Sequence, residues 1–209
     1  MRLKTTQINK LILAVAGITL VGIGIAFNAA AALGNDPIGI VYDGIRNAAS
    51  LSAQQLGLAS NIVNVVMVIA VFLLGRHYVN IGTFIYIIPY GTIVSIGGKL
   101  YGILFPVQTL PVQIVSAAIG CLLLYVGVAM FITADIGLDP FTGMVMVIRD
   151  KVGKEYRVVK ICFDAGCIVL GFLLGGKLGV ITILTALSAG PLIQFFSDKF
   201  TKLLQEKNL

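Results

Sequence analysis

Tryptophan is absent from this 209-residue chain, histidine occurs once, and charged residues make up only 11%. A soluble domain carries about 25% charged residues, so the last deficit alone excludes an ordinary water-soluble globule. The single histidine, His77, stands beside Arg76 with no second ligand near it in sequence, which fits a solvated loop position and no metal centre. Three cysteines, Cys121, Cys162 and Cys167, are an odd number without C-x-x-C spacing. They offer neither a disulfide framework nor a zinc site and are expected as small core residues. Membrane enzymes of lipid or phosphate chemistry gather His, Asp and Arg at an interface. With one histidine, no enzymatic role, cofactor or metal is expected. What the chain has in abundance is apolar length. Hydrophobic residues account for 58%, mean hydropathy is +1.00, and apolar runs able to cross a bilayer core of about 30 Å recur. An all-α polytopic membrane protein follows, with 1–209 a single membrane domain. The net charge of +6 sits at the ends and in a few loops, the pattern of cytoplasmic loops and not of a nucleic-acid-binding face.

One stretch occurs twice. Leu33-Gly34-Asn35-Asp36-Pro37-Ile38-Gly39 returns as Ile136-Gly137-Leu138-Asp139-Pro140-Phe141-Thr142, displaced by 103 residues. Each copy follows a long apolar run and precedes an arginine, Arg46 and then Arg149, at the same offset. Aspartate is a good helix N-cap, and proline suits the first helical position, where its missing N–H would be unpaired anyway. The residue before a proline is pushed out of helical geometry, so the preceding long helix must end. Each copy therefore stops a long helix and starts a short one. Gly24/Gly127 and Ala26/Ala129 share the offset of 103, Asn64/Asp164 and Gly75/Gly175 align at 100, and Thr83/Thr182 and Gly91/Gly190 at 99. The chain reads as two repeats, about 11–104 and about 112–198.

Long spans are expected at about 11–33, 56–74, 81–104, 112–134, 158–174 and 180–196. The short segments after Asp36-Pro37 and Asp139-Pro140 run twelve or thirteen residues, about 20 Å, short of the bilayer core. If they only dip in, there are six spans and the repeats are inverted; Arg46, Lys99 and Lys177 are then the basic residues outside. If they cross, there are eight spans and parallel repeats, with Arg76 and Lys177 outside. The distribution of basic residues does not decide between the two. Length favours six spans plus two short re-entrant helices, with both termini cytoplasmic and the loop Ser50–Gln55 outside. The basic start (Arg2, Lys4, Lys10) and the tail with Lys199, Lys202 and Lys207 fit that orientation.

The small-residue first helix ending in Leu33-Gly34-Asn35-Asp36-Pro37, the span end Leu74-Gly75-Arg76, Ile81-Gly82-Thr83, and Gly190-Pro191-Leu192-Ile193 resemble the YczE/YyaS/YitT family of bacterial integral membrane proteins. The likeness covers nearly the whole chain. Such proteins often carry a tryptophan after the Gly-x-x-Pro turn, where this chain has Ile38 and Phe141. The resemblance implies a multi-pass protein of the cell (inner) membrane with a transporter-like role, and it brings no established catalytic residues.

An ionisable group at membrane depth costs about 2.5–3.5 kcal/mol on insertion scales and marks function by default. Asp164 lies inside a span with Lys160 one turn before it, and its repeat mate is Asn64. Asp36 and Asp139 serve equally as plain N-caps or as charges that two short helices aim into a shared cavity, meeting a solute, a proton, or Arg46 and Arg149. Asp36, Asp139, Asn64, Asp164, Asn61, Tyr86, Tyr90 and Thr185 are thus candidate solute-binding residues. Pro37, Pro140, Gly34, Gly137, Arg46, Arg149 and Lys160 are candidate structural ones. Three functions fit: a small secondary transporter or exporter of an organic solute, the substrate-binding membrane subunit of a larger importer of the energy-coupling-factor kind, and a membrane regulatory or scaffold protein. The expected partners are a small-molecule solute and the lipid bilayer, with a homo-oligomer compatible and no nucleic acid.

Overall fold

The computed structural model describes the backbone of residues 2–206 and the side chains of residues 7–204, so the side chains of Arg2, Lys4 and Lys207 lie outside the described residues. Eight α-helices follow one another without a strand among the described residues: α1 Arg2–Ala31, α2 Pro37–Ala48, α3 Leu56–Gly75, α4 Ile81–Leu104, α5 Leu110–Ala134, α6 Pro140–Val152, α7 Tyr156–Leu173 and α8 Val180–Glu206. Short 3-10 turns at Ala53–Gln55 and Arg76–Tyr78 flank α3. Among the described residues, five stretches are long and apolar enough to cross a membrane: Gln7–Ala31, Ala53–Tyr78, Ile81–Leu104, Leu110–Ala134 and Val180–Leu204. The remaining expected span, α7, has 18 residues and carries Arg157, Lys160 and Asp164, which keeps it out of that set.

Helix α1 is the centre of the bundle, lying along α5 and α4, while α5 lies along α1 and α8. Small residues set the α1–α5 approach. A Cβ on Gly17 would come within 2.7 Å of the Gly127 carbonyl oxygen, and one on Gly24 within 2.6 Å of the Gly120 carbonyl oxygen. Low numbers on α1 therefore face high numbers on α5, and the two helices run antiparallel. Against α4, Gly22 meets Ile93 and Ala26 meets Gly97, so α1 and α4 run parallel. Between helices in a bilayer, dispersion and close backbone contact replace the hydrophobic drive, which is why glycine occupies these seams.

The short helices fill the space beside this core, α2 against α7 and α3, and α6 against α3 and α7. Gly34 (φ +102°) and Gly137 (φ +152°) make the turns that lead into them, in backbone geometry that L side chains rarely adopt. Each turn docks on the start of a distant long helix. The Ile181 N–H donates to the Leu33 carbonyl at 3.1 Å, and the Thr83 hydroxyl donates to the Leu138 carbonyl at 2.9 Å. Gly91 on α4 and Gly190 on α8 have different surroundings. Gly91 N–H donates to Asn61 Oδ1 at 3.0 Å, tying α4 to α3, whereas Gly190 has no neighbour within 4 Å and α7 makes little contact with α8. Of the three cysteines expected in the core, Cys167 is buried and Cys121 half-buried, but Cys162 is exposed. It stands on the face of α7 turned away from α2, half a turn from Gly171, which packs on Ile40, so its apolar sequence surroundings did not mean burial.

Candidate functional site

The site begins with the two caps. Asp36 accepts from the Ile38 N–H at 3.2 Å and the Gly39 N–H at 3.3 Å. Asp139 Oδ1 accepts from the Phe141 and Thr142 N–H groups, both at 3.1 Å. Each aspartate thus satisfies two of the orphan donors of a helix start. Before the first cap, Asn35 donates through Nδ2 to the Ile25 carbonyl at 3.3 Å. The chain therefore doubles back along α1 before α2 begins, which carries Asp36 to 8% exposure.

Between the two helix starts lies an aromatic cluster. The Tyr42 ring sits 5.9 Å from both Tyr90 and Phe141, centre to centre. Tyr86 stacks on Tyr90 at 5.0 Å and meets Phe131 edge-on at 5.1 Å. Phe141 belongs to α6 and Tyr42 to α2, so this contact joins the two short helices directly. Asp36 caps the helix that carries Tyr42, and Asp139 caps the helix that begins with Pro140-Phe141, so each cap belongs to a helix of the cluster. Asn64 Oδ1 accepts from the Tyr42 hydroxyl at 3.2 Å. Two polar atoms in the cluster, Asn64 Nδ2 and the Tyr90 hydroxyl, have no hydrogen-bond partner, in residues exposed by 1% and 0%. The Tyr42 and Tyr86 hydroxyls approach Tyr90 without hydrogen-bonding geometry. An unsatisfied buried polar group costs about 1–3 kcal/mol, so two of them around Tyr42 call for a reason.

The other candidates divide. Asp164 pairs with Lys160 one turn away on α7, and both are near enough to Asp36 for their charges to act on it. Pro37 and Pro140 occupy the first turns of α2 and α6. Asn61 is engaged by the Gly91 N–H, and the Thr185 hydroxyl donates to the Thr182 carbonyl of its own helix at 3.1 Å; neither reaches into the ring cluster through these bonds. The arginines do not meet the capping aspartates. Arg46 pairs with Asp43 at 2.7 Å and Arg149 with Asp150 at 2.7 Å, because each arginine sits three turns along its helix, at the opposite end from the cap. Beside Arg149, the Tyr78 hydroxyl donates to Asp150. That bond and the arginine hold the Asp150 carboxyl below its ordinary range. His77, its side chain 69% exposed, lies 3.9 Å from Asp150. At the C-terminal end of α1 a small cleft is lined by Asn28, Asn35, Asp43 and Lys177. Sequence reasoning missed Tyr42, which joins the cluster although no repeat mate announces it, since Val145 stands at the matching place.

One buried and one half-buried carboxylate, π faces and unpaired polar atoms near two helix starts, in a bundle with five membrane-length apolar helices, define a membrane protein with an internal polar site. Residues 8–198 match the family model described as a family of unknown function (DUF6198), and the chain belongs to that family. It is 27% identical over 199 residues to an uncharacterized protein of Haemophilus influenzae, a match covering 95% of this chain and 88% of that one. It is also 27% identical over 92 residues to the uncharacterized membrane protein YczE of Bacillus subtilis, covering 44% of this chain and 43% of that protein. The resemblance drawn from the short glycine and Asp-Pro motifs thus holds. No solved structure matches the chain.

Proposed function

We propose that the protein is a small secondary transporter or exporter of an organic solute in the cell membrane, built from two inverted repeats. Each repeat contributes three spans and one short re-entrant helix, α7 being the sixth span, and both termini are cytoplasmic. The observation that carries this reading is reciprocity. Gly17 and Gly24 are displaced by 103 from Gly120 and Gly127, and the contacts pair Gly17 with Gly127 and Gly24 with Gly120. A two-fold axis relating antiparallel helices exchanges those two contacts. It also relates the approach of the Ile136 carbonyl to Gly82, at the start of α4, to that of the matching Leu33 carbonyl to Gly179, just before α8. Repeats of opposite orientation with broken helices aimed at the midplane are the architecture in which alternating access moves one repeat against the other around a fixed site. In the six-span arrangement the Lys160–Asp164 pair turns toward Asp36 and not toward lipid, the setting in which an intramembrane charge is tolerable.

The test is flux through the purified chain alone. Proteoliposomes loaded with labelled amines, amino acids, nucleosides and sugars should show protein-dependent counterflow of at least one class. Binding without flux, or flux that needs an added ATPase partner, would refute the transporter reading.

A further inference from the structure

We propose that the central site takes a protonated amine that also bears an oxygen acceptor, of the amino-alcohol class; this rests on reading that site as a solute site. The two unpartnered atoms set the chemistry. Asn64 spends its oxygen on the Tyr42 hydroxyl, so what remains is Nδ2, a donor that needs an oxygen to receive it. The Tyr90 hydroxyl, fully buried and unpartnered, has lone pairs for an N–H donor. The charge balance sets the sign. Asp36 and Asp139 cap the two helices that bring Tyr42 and Phe141 together, and Lys160 is held by Asp164. Asp139 places both of its N–H acceptances on Oδ1, which leaves Oδ2 for a cation. The stacked Tyr86 and Tyr90 rings and the nearby Tyr42 ring offer negative faces to the same charge.

The alternatives fit less of this. An anion meets two carboxylates, and a neutral polyol leaves them uncompensated. An inorganic cation supplies nothing for Asn64 Nδ2, and a quaternary ammonium has no N–H for Tyr90. The amine with a neighbouring oxygen is the class that has a partner to offer each of these groups.

Three matched probes separate the terms: 2-amino-1-phenylethanol, 2-phenylethylamine without the hydroxyl, and 2-phenylethanol without the ammonium. Binding is measured by calorimetry on the full chain in detergent. Loss of the ammonium should weaken binding by about tenfold or more, and loss of the hydroxyl by about three- to tenfold, the range of one hydrogen bond. Asn64→Leu should erase the preference for the hydroxyl, and Tyr90→Phe, which keeps the ring, should weaken both amines. Equal binding of 2-phenylethanol, failure of all three probes, or an unchanged preference in both variants overturns the proposal. If glycerol or succinate binds instead, and Asp139→Asn abolishes that binding, the amine class is wrong while the solute site stands. Amine binding indifferent to both Asp36→Asn and Asp139→Asn overturns the site as well.

Discussion

The α1–α5 seam offers a quantitative test of the two-fold relation. An alanine Cβ at position 24 would stand 2.6 Å from the Gly120 oxygen and 2.8 Å from the Leu124 nitrogen. At position 127 it would stand 2.6 Å from the Gly17 oxygen and 2.7 Å from the Val21 nitrogen. In both places the obstacle is backbone, so the helices must separate; overpacking of this kind costs about 1–3 kcal/mol. Gly24→Ala and Gly127→Ala should therefore destabilise by similar amounts. The double variant should cost less than the sum, because helices already pushed apart by one methyl accommodate the second. Gly98 and Gly102 on α4, each with nothing within 4 Å, are the controls. Alanine there meets no obstacle and favours the helix, so Gly98→Ala and Gly102→Ala should be neutral or mildly stabilising. Unfolding of purified protein in rising dodecyl sulfate, followed by far-ultraviolet circular dichroism, measures all five variants. Gly24→Ala and Gly127→Ala as silent as the controls, or one silent and the other severe, would refute the reciprocal contact.

Other consequences follow from the polar groups. Lys160→Met should destabilise by about 1–3 kcal/mol, less than the 3–5 kcal/mol of a fully buried pair because both side chains are partly exposed, and adding Asp164→Leu should recover most of that loss in the same unfolding assay. Asp164→Asn should insert and fold but lower flux in proteoliposomes; normal flux would reduce the residue to architecture. In a variant lacking the three cysteines, Ser52→Cys should react with an impermeant maleimide in intact cells, and reaction only after lysis would favour eight spans. Asp150, held below its usual value of 3.8, contributes stability that is present above that value and is lost as pH falls through the lower folded-state value. Tyr78→Phe removes the larger cause of that shift, so the variant should be less stable at neutral pH, and its acid-unfolding curve should be shallower and converge on that of the unaltered protein as pH falls below 3.8.

How much of this was open to reading in the sequence depends on whether a residue acts locally. The Asp-Pro caps were legible because a cap acts on the three residues after it, and both caps form the bonds their sequence implies. The long apolar helices were legible from their length. Arg46 and Arg149 were not, since the same offset from the caps that marked them also put them at the far helix ends, where Asp43 and Asp150 hold them. Asn61 and Asn64 share one face of α3, yet a rotation of three residues sends one to the α4 backbone and the other to Tyr42. Tyr42 itself stayed hidden, because only the meeting of α2 with α6 gives it Phe141 and Tyr90 as neighbours. The direction of one copy relative to the other was equally out of reach, since a repeat in sequence reads the same for parallel and antiparallel copies.

The central claim is that the two capping charges serve a common solute site, and transport by Asp36→Asn and Asp139→Asn tests it most directly. Asparagine caps a helix about as well as aspartate, so both variants should unfold close to where the unaltered protein does. The account predicts that each then loses solute flux in proteoliposomes while remaining folded. Normal flux in both would contradict it and leave the repeated Asp-Pro as a way of starting two helices.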